Sequence, residues 1–255
     1  MGESMECPSR LKCVRIAITG GAGTLGSRLA ERLVAEGARI VIGDLAADAV
    51  EDAAAAIHPD RATIAGMAVD VTSDESTDAF IANAAEHLGG LDVVINNAGV
   101  LPESARLHHV RLADFKRTLD VNVLGVFNGM KSAIEHMRSR GGGTIINTAS
   151  VTGLRAWTYS SAYGASKAAV IQLSKVAALE YVGEGIRVNC VCPGTFLSPM
   201  LDGLSADALA MITARHPIGR LASVDEILGA FVYLASPESS FTTGSTIVVD
   251  GGNSC

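Results

Sequence analysis

Short apolar segments rich in β-branched residues alternate along the chain with longer segments whose apolar positions recur every three to four residues. The short segments are typical of buried strands, and the longer ones of helices that pack one face against a sheet. The pattern predicts seven strands, over Val14–Thr19, Ala38–Gly43, Thr63–Val69, Leu91–Ile95, Thr144–Ser150, Ile186–Val191 and Ser245–Val249. This alternation indicates an α/β protein with a parallel sheet, because right-handed crossovers place helices on both faces.

The helical segments of the chain fit a single domain. They are predicted over Leu25–Leu33, Asp48–Ile57, Thr72–Leu88, Arg111–Arg138 and Val224–Ala235, with a further helix capped by Ser160 or Ser161. We expect residues 1–13 to form a flexible tail and residues 14–255 to form one catalytic domain. Residues 195–221 lack a clean alternation of strand and helix, and we interpret them as a mobile lid over a substrate.

The composition restricts the class of function. The chain has 255 residues, 48% of them hydrophobic, which is enough for a full core. Its net charge of −7 argues against a nucleic-acid partner, since such proteins usually present a basic patch. No apolar run has the length needed to cross a bilayer, so we expect no membrane partner. The five cysteines form no Cys-x-x-Cys pair, which favours free thiols in the cytoplasm and no bound metal.

Small or acidic residues follow four of the predicted strands, at Gly20–Gly26, Asp44, Asp70–Val71 and Asn96–Gly99. The carboxyl ends of parallel strands lie at one edge of the sheet, where open α/β sheets bind their ligands. A glycine turn between a strand and a helix presents backbone amides to a pyrophosphate. These residues therefore predict a Rossmann-type fold, a doubly wound three-layer sandwich, that binds a dinucleotide.

Asp44 has two interpretations that the residues alone leave open. An acid at the end of the second strand is able to accept hydrogen bonds from both hydroxyls of an adenosine ribose, and it would repel a 2′-phosphate. The same residue is well placed to cap a helix from Leu45 to Ile57. Because no Lys or Arg lies in the glycine turn or beside Asp44, we favour NAD over NADP.

Tyr163 and Lys167 are four residues apart on a predicted helix and therefore share a face. At roughly 6 Å and an effective dielectric of about 20, an ammonium attracts a phenolate by ~3 kcal/mol, or about two pK units. The spacing thus predicts a lowered pKa for Tyr163, whose phenolate would take a proton from an alcohol. Ser150 ends the fifth strand at the same edge, and Asn122 is an amide among apolar residues that needs hydrogen-bond partners if buried.

Three other polar residues draw attention but indicate less. His108 and His109 have no paired acid and no metal-ligand spacing, so we interpret them as solvated. Arg155 is either an anchor for a substrate carboxylate or a solvated surface residue, and we favour the surface. No nucleophile elbow surrounds Ser150, which argues against a serine hydrolase.

Taken in order, these motifs resemble the short-chain dehydrogenase/reductase family in its single-domain form. The resemblance covers about Val14 to Gly252, which is nearly the whole chain. It rests on Thr19-Gly20 with Gly26, Asn96-Asn97-Ala98-Gly99, Asn122, Ser150, Tyr163-x-x-x-Lys167, Pro193-Gly194 and Val249-Asp250-Gly251-Gly252. Ser150 precedes Tyr163 by thirteen residues, a spacing usual in the family.

The resemblance implies an NAD(P)-dependent alcohol dehydrogenase or ketoreductase that transfers a hydride reversibly between a secondary alcohol and its ketone. Tyr163 resembles the catalytic acid/base, and Lys167 the residue that lowers its pKa and binds the nicotinamide ribose. Ser150 resembles the hydroxyl that polarises the substrate oxygen, and Asn122 the amide that holds a water in a proton relay.

The resemblance also implies a cofactor site. It comprises Gly20, Gly23, Thr24, Leu25, Gly26, Asp44, Leu45, Asp70, Val71, Asn97, Ala98, Gly99, Tyr163, Lys167, Pro193, Gly194, Phe196 and Ser198. Two of these residues depart from the family pattern. Thr24 stands where the family usually has glycine or another small residue, and Ser198 stands where it more often has Thr.

Apolar residues near the predicted site favour an apolar or cyclic substrate. The expected walls are Leu101, Val151, Trp157, Tyr159, Leu197, Met200 and Leu201. Because family members commonly form tetramers, we expect a homo-oligomer, either a tetramer or a dimer. Two alternatives remain open, an acyl-chain ketoreductase of the same fold and a non-catalytic redox sensor that binds NAD.

Overall fold

Seven parallel strands form the single sheet of the protein. The computed structural model describes residues 9–198, 201–203 and 205–255. Its strands are β1 (Arg15–Thr19), β2 (Arg39–Asp44), β3 (Ile64–Ala68), β4 (Val93–Asn96), β5 (Gly143–Thr148), β6 (Ile186–Pro193) and β7 (Thr246–Val249). They lie in the order β3-β2-β1-β4-β5-β6-β7, and every adjacent pair is parallel. The predicted Rossmann-type sheet is therefore confirmed.

Eight α-helices connect and cover these strands in the described part of the chain. They are α1 (Thr24–Ala35), α2 (Ala47–Ile57), α3 (Asp74–Leu88), α4 (Leu112–Leu119), α5 (Gly125–Arg138), α6 (Ser161–Tyr181), α7 (Ala206–Thr213) and α8 (Asp225–Ala235). Short 3₁₀ turns lie at Leu107–His109, Val151–Gly153, Val182–Glu184 and Pro237–Ser239.

Successive residues of a strand point to opposite faces of a sheet, and this produces two hydrophobic cores. In β1, Ala17 belongs to one core, whereas Ile16 and Ile18 belong to the other. The first core includes Phe80 of α3 and the second includes Phe231 of α8, and both rings are buried. The sheet is therefore the middle of three layers.

The helix predicted over Arg111–Arg138 is not a continuous α-helix. A π-turn at Asp120–Leu124 separates α4 from α5, and the amide of Gly125 donates to the carbonyl at the start of that turn. Val71 packs so closely against Gly125 that a Cβ there would not fit. The wider turn contains the fully buried Asn122. Hydrophobic periodicity missed the interruption because one five-residue turn leaves the apolar stripe on either side intact.

The limits of the predicted tail and lid also need adjustment. Leu11, which the prediction assigned to the tail, is fully buried, and its amide donates to the carbonyl of Glu36. The packed domain therefore includes residues 9–13. Within residues 195–221 the chain forms α7, so this segment has more regular structure than the sequence indicated. Residues 199, 200 and 204 lie outside the described residues.

Candidate active site

A tight glycine turn joins β1 to α1. Gly20 has a φ of +69°, a left-handed conformation that glycine adopts without strain. A Cβ at Gly26 would overlap the carbonyl oxygen of Gly20, whereas a Cβ at Gly23 would lie 3.5 Å from that oxygen. Thr24 begins α1 and does not have a positive φ, so its departure from the family pattern strains no backbone. The start of α1 faces the cleft, where helix amides bind a pyrophosphate.

A cleft of about 950 Å³ opens at the carboxyl ends of the strands. Its size is at the upper end of the range of about 300–1,000 Å³ typical of ligand pockets. The predicted cofactor residues that line it are Gly20, Gly23, Thr24, Leu25, Gly26, Asp44, Leu45, Asp70, Val71, Asn97, Ala98, Gly99, Tyr163, Lys167, Pro193, Gly194 and Phe196. Ser198 is the exception, because it does not line the cleft.

The sequence missed several residues that also line the cleft. They are Val69, Thr72, Val100, Arg117, Asp120, Val121, Leu124, Thr148 and Ala149. Five of them lie within two residues of a predicted site residue in the chain, near the carboxyl ends of β3, β4 and β5, namely Val69, Thr72, Val100, Thr148 and Ala149. Arg117, Asp120, Val121 and Leu124 come instead from α4 and the π-turn, which no motif indicated.

Asp44 ends β2 inside the cleft and does not cap a helix. Its carboxylate accepts hydrogen bonds from the amide of Ala22 at 3.1 Å and from the amide of Leu45 at 2.8 Å. The N-cap residue of α2 is Ala46, so the capping alternative is wrong. A carboxylate has about four lone-pair sites. Two of them bond the protein, and two remain for the hydroxyls of a ligand.

Asn97 and Thr19 fasten the end of β4 to the glycine turn. The hydroxyl oxygen of Thr19 accepts from the amides of Asn97 at 3.1 Å and Ala98 at 3.2 Å. In return, the side-chain amide of Asn97 donates to the carbonyls of Thr19 and Gly20, each at 3.2 Å. These bonds hold two walls of the cleft in a fixed relation.

α6 presents Tyr163 and Lys167 on one face, and Nζ of Lys167 lies 5.6 Å from the centre of the Tyr163 ring. Ser160 is the N-cap residue of α6, as predicted, although its side chain forms no capping hydrogen bond. Lys167 is buried, and its Nζ donates to the carbonyl oxygen of Thr148 at 2.8 Å. Burial disfavours the charged ammonium and lowers the pKa of Lys167 to about 8.

The pKa of Tyr163 is raised, because burial disfavours the phenolate, while a hydrogen bond with Ser150 acts in the opposite direction. The lowered pKa that the spacing predicted is therefore wrong in its net direction, since that argument counted attraction to Lys167 but not burial. Ser150 accepts from the amide of Thr152 at 3.3 Å and from its hydroxyl at 3.1 Å. The hydrogen of Ser150 is left for Tyr163 or for a substrate oxygen.

Asn122 is fully buried behind this pair and does not itself line the cleft. Its Oδ1 accepts from the amide of Val100 at 2.7 Å, and its Nδ2 donates to the carbonyl of Val100 at 3.0 Å and to Oγ of Ser166 at 3.1 Å. Oγ of Ser166 donates in turn to the carbonyl of Tyr163 at 2.7 Å. Both N–H groups of Asn122 are engaged within the protein, and the role in a water relay stays a prediction.

Comparison with known proteins gives a consistent family. A family model described as enoyl-(acyl carrier protein) reductase matches residues 20–254. The chain is 40% identical to cis-4-hydroxycyclohexanecarboxylate dehydrogenase of Sinomonas cyclohexanicum, over 93% of this chain and 96% of the relative. The chain belongs to the short-chain dehydrogenase/reductase family.

Two further relatives of this short-chain dehydrogenase/reductase span nearly the same length. Identity is 36% to 2-(S)-hydroxypropyl-CoM dehydrogenase 3 of Xanthobacter autotrophicus, over 96% of this chain and 98% of the relative. Identity is 39% to a 3-alpha-(or 20-beta)-hydroxysteroid dehydrogenase of Mycobacterium tuberculosis, over 92% of this chain and 87% of the relative. The resemblance inferred from the motifs is confirmed, and the chain is an oxidoreductase of alcohols and ketones. Such dehydrogenases use NAD or NADP and act on small molecules.

The expected substrate walls of this short-chain dehydrogenase/reductase divide into two groups. Leu101 lines the cleft and, together with Tyr159, a second cavity of about 220 Å³ that also reaches Tyr163. Val151, Trp157, Leu197 and Leu201 do not line the cleft, and Met200 lies outside the described residues. Val151 is only 1% exposed because it packs in the turn after Ser150, so the prediction of a wall there is wrong.

Two arginines near the turn after Ser150 contact other parts of the protein. Nη1 of Arg155 donates to the carbonyl of Asn253 at 2.8 Å, but the residue is exposed, which confirms the favoured interpretation of a surface residue. The guanidinium of Arg215 lies 4.8 Å from the centre of the half-buried Trp157 ring. Within the described ranges, no helix has both the length and the apolar composition required to cross a bilayer.

Proposed function

We propose that the protein catalyses reversible, NAD-dependent interconversion of a secondary alcohol and its ketone, with Tyr163, Ser150 and Lys167 as catalytic residues. The observation that supports this most strongly is their convergence. A phenol, a serine hydroxyl that hydrogen-bonds with it and a buried ammonium meet in a cleft large enough for a dinucleotide. No such set is needed by a protein that only senses NAD.

The residues of the cleft fit NAD in three respects. The Gly20 turn and the start of α1 would bind the pyrophosphate, since a side chain at Gly26 would not fit there. Asp44 would accept the hydroxyls of the adenosine ribose with its two remaining lone-pair sites. Gly99 and Lys167 line the same part of the cleft wall, and Lys167 would bind the nicotinamide ribose with its ammonium.

A bound nicotinamide accepts or supplies the hydride, and the chain's own residues handle the proton. In ketone reduction, Tyr163 donates its phenolic proton to the carbonyl oxygen, and Ser150 donates a hydrogen bond to that oxygen. The raised pKa of Tyr163 keeps this proton in place at neutral pH. In alcohol oxidation, Tyr163 takes the proton back as a phenolate that the Lys167 ammonium stabilises.

Asn122 contributes as a positioning residue in this proposal. Its bonds to the backbone of Val100 and to Ser166 connect the loop after β4 with α6, between the two turns that present Tyr163 and Lys167. A water relay behind Lys167 would use the carbonyl of Thr148 or the second lone pair of Asn122, since both N–H groups of its amide are engaged.

For the substrate, we propose an apolar or cyclic secondary alcohol. Leu101 and Phe196 border the cleft near the catalytic residues and give it apolar walls. The relatives' names include a substituted cyclohexanol and a hydroxysteroid, which supports a cyclic molecule. The hydroxypropyl-CoM relatives are the acyclic alternative.

We further propose a cytoplasmic homo-oligomer, either a dimer or a tetramer. Large apolar side chains remain exposed on the helices next to the site, such as Phe127 and Leu179, which are 46% and 81% exposed. A second copy would remove them from water. The thiols of Cys13, Cys190, Cys192 and Cys255 are free, which suits a reducing compartment.

Replacing Tyr163 by Phe tests the proposal. We expect the variant to fold and to bind NADH, and to lose at least about a hundredfold in kcat, because general acid–base catalysis contributes about 10²–10⁴. The assay follows NADH absorbance with cis-4-hydroxycyclohexanecarboxylate, a 3α-hydroxysteroid, a 2-hydroxypropyl thioether and a 3-oxoacyl thioester. Tyr181→Phe, at the far end of α6, is the matched control and should keep full activity. Turnover by Tyr163→Phe at the original rate would contradict the assignment of Tyr163 as the catalytic acid and base.

A further inference from the structure

Residues 194–197 follow β6 and form part of the cleft at its catalytic end. Backbone hydrogen bonds hold this segment on two sides. The amide of Gly194 donates to the carbonyl of Val249 at the end of β7 at 2.9 Å, and the amide of Ala222 donates to the carbonyl of Thr195 at 3.2 Å. The segment therefore depends on a few contacts outside regular structure for its position.

His216 supplies the side-chain contact to this segment. It is 3% exposed, and its Nε2 lies 3.2 Å from the amide nitrogen of Thr195. Its Nδ1 lies 3.0 Å from the carbonyl oxygen of Ile212 in α7. An amide only donates and a carbonyl only accepts, so Nε2 must be the acceptor and Nδ1 must hold the proton. The two contacts therefore require a neutral imidazole in a single tautomer.

We propose that neutral His216 is a positioning residue that fastens the cofactor-facing segment 194–197 to α7, and that its protonation releases this segment. Protonation places a second N–H on the ring, directed at the amide of Thr195. Two donors facing each other cannot bond, so either the imidazolium or the segment must move. In the proposed function, this segment meets the nicotinamide, so NADH affinity falls with the same protonation. The proposal about affinity rests on that proposed function, whereas the release of the segment does not.

The groups around His216 bear on when this happens. An imidazole is the side chain that ordinarily gains a proton between pH 8 and pH 5. The carboxylate of Asp250, directly after β7, interacts with His216 electrostatically, and this interaction lowers the pKa of Asp250. Asp250 also accepts from the amides of Gly252 and Ser254, which keep it ionised. The neighbouring cation, Arg215, is directed at Trp157.

Hydrogen exchange of the protein without added ligand tests the release. Peptides covering residues 194–197 are followed by mass spectrometry at pH 8.0 and pH 5.5 in wild type, His216→Gln and His216→Leu. Gln offers an acceptor oxygen and does not titrate, whereas Leu leaves the amide of Thr195 without a partner. At pH 8.0 we expect wild type and His216→Gln to be equally protected. At pH 5.5 we expect wild type to exchange at least about fivefold faster than His216→Gln. Comparing variants at one pH cancels the intrinsic exchange rate.

His216→Leu should exchange faster than His216→Gln at both pH values, by about the same factor that separates wild type from His216→Gln at pH 5.5. If it does not fold, judged by circular dichroism, the comparison with His216→Gln decides the matter alone. A ratio between wild type and His216→Gln that is the same at pH 8.0 and pH 5.5 would overturn the proposal.

NADH fluorescence titrations of the same proteins complete the test. We expect the Kd of wild type to rise at least about fivefold from pH 8.0 to pH 5.5, relative to the Kd of His216→Gln. Equal shifts in both proteins would contradict the link to the cofactor. If wild type binds no NADH at either pH, the proposed function fails, and the exchange experiment still decides whether His216 holds the segment.

Discussion

Replacing Asp44 by Asn would change the cofactor preference, because the carboxylate of Asp44 is the acid that the proposal places at the adenosine ribose. Both of its oxygens already bond backbone amides, those of Ala22 and Leu45, and each has a lone pair left. Asn keeps the size of the side chain and one acceptor oxygen. It removes the charge and places an NH₂ group where the second oxygen was.

The magnitude follows from charge and hydrogen bonding. At about 5 Å and an effective dielectric of about 20, two unit charges repel by ~3 kcal/mol, or roughly 150-fold in affinity for a 2′-phosphate. Hydrogen bonds to a charged acceptor are worth about 1 kcal/mol more than neutral ones, so two ribose hydroxyls lose ~2 kcal/mol. We expect the NAD-to-NADP preference of Asp44→Asn to fall at least about 100-fold.

The assay measures Kd for NADH and NADPH by fluorescence, with kcat/KM for both cofactors. Asp70→Asn is the matched control, since it removes the same charge from the end of the neighbouring strand. Its carboxylate bonds the amide and hydroxyl of Thr72, and we expect its preference to change less than about fivefold. Thermal unfolding of Asp44→Asn checks that the glycine turn stays folded. A preference that changes less than threefold at Asp44, or equally at both positions, would refute the assignment of Asp44 to the ribose.

Two further predictions follow from burial and close approach. Gly26→Ala should lose NADH binding, and its free energy of unfolding in urea should fall by at least ~2 kcal/mol, because the added Cβ would overlap the carbonyl of Gly20. Gly23→Ala is the control and should fold normally. Equal stability of the two variants would contradict this prediction. Burial lowers the pKa of Lys167 to about 8, whereas a lysine in an unfolded chain has a pKa of about 10.4. Between these two pH values the unfolded state binds more protons than the folded state. The contribution of Lys167 to the free energy of unfolding therefore rises with pH in this range. The stability of wild type relative to Lys167→Met should therefore rise by ~2 kcal/mol between pH 7.5 and pH 9.5, and a constant difference in urea unfolding would count against the buried charge.

The position of the cleft was predictable because strand ends are legible in sequence. An apolar run that stops at Gly20, Asp44 or Asn97 marks its own carboxyl end, and parallel topology brings such ends to one edge. Local spacing also predicted the pairing of Tyr163 with Lys167, since residues four apart share a helix face, and Nζ of Lys167 lies 5.6 Å from the centre of the Tyr163 ring.

Quantities that depend on the surroundings of a residue were not predictable in the same way. The direction of the Tyr163 pKa follows from burial, which spacing along a helix does not contain. Val151 is an apolar residue next to Ser150, yet it points into the core, and Arg155 reaches a carbonyl 98 residues away in the chain. The interruption at Asn122 depends on packing against a glycine that sequence periodicity does not register.

Hydrogen bonds fix α6, the helix that carries Tyr163 and Lys167, at several points. In α6, Ser166 receives a bond from Asn122, Lys167 donates to Thr148, and Ser174 receives one from Asn147 at 2.7 Å. All five side chains in these contacts are buried. Shifting α6 would therefore leave several polar groups unpaired, at about 1–3 kcal/mol each. The reaction type is accordingly tied to the core of the fold.

The loop that contains Trp157 and residues 194–197 are fixed by fewer side-chain hydrogen bonds than α6. The Trp157 loop is held by a guanidinium stack, and residues 194–197 by backbone bonds together with the ring of His216. Changes in these segments leave the bonds of α6 intact. In the proposed function, we therefore expect substitutions there to alter substrate preference and leave the reaction type unchanged. The same division places the pH sensitivity proposed for His216 in cofactor binding and not in the proton transfer itself.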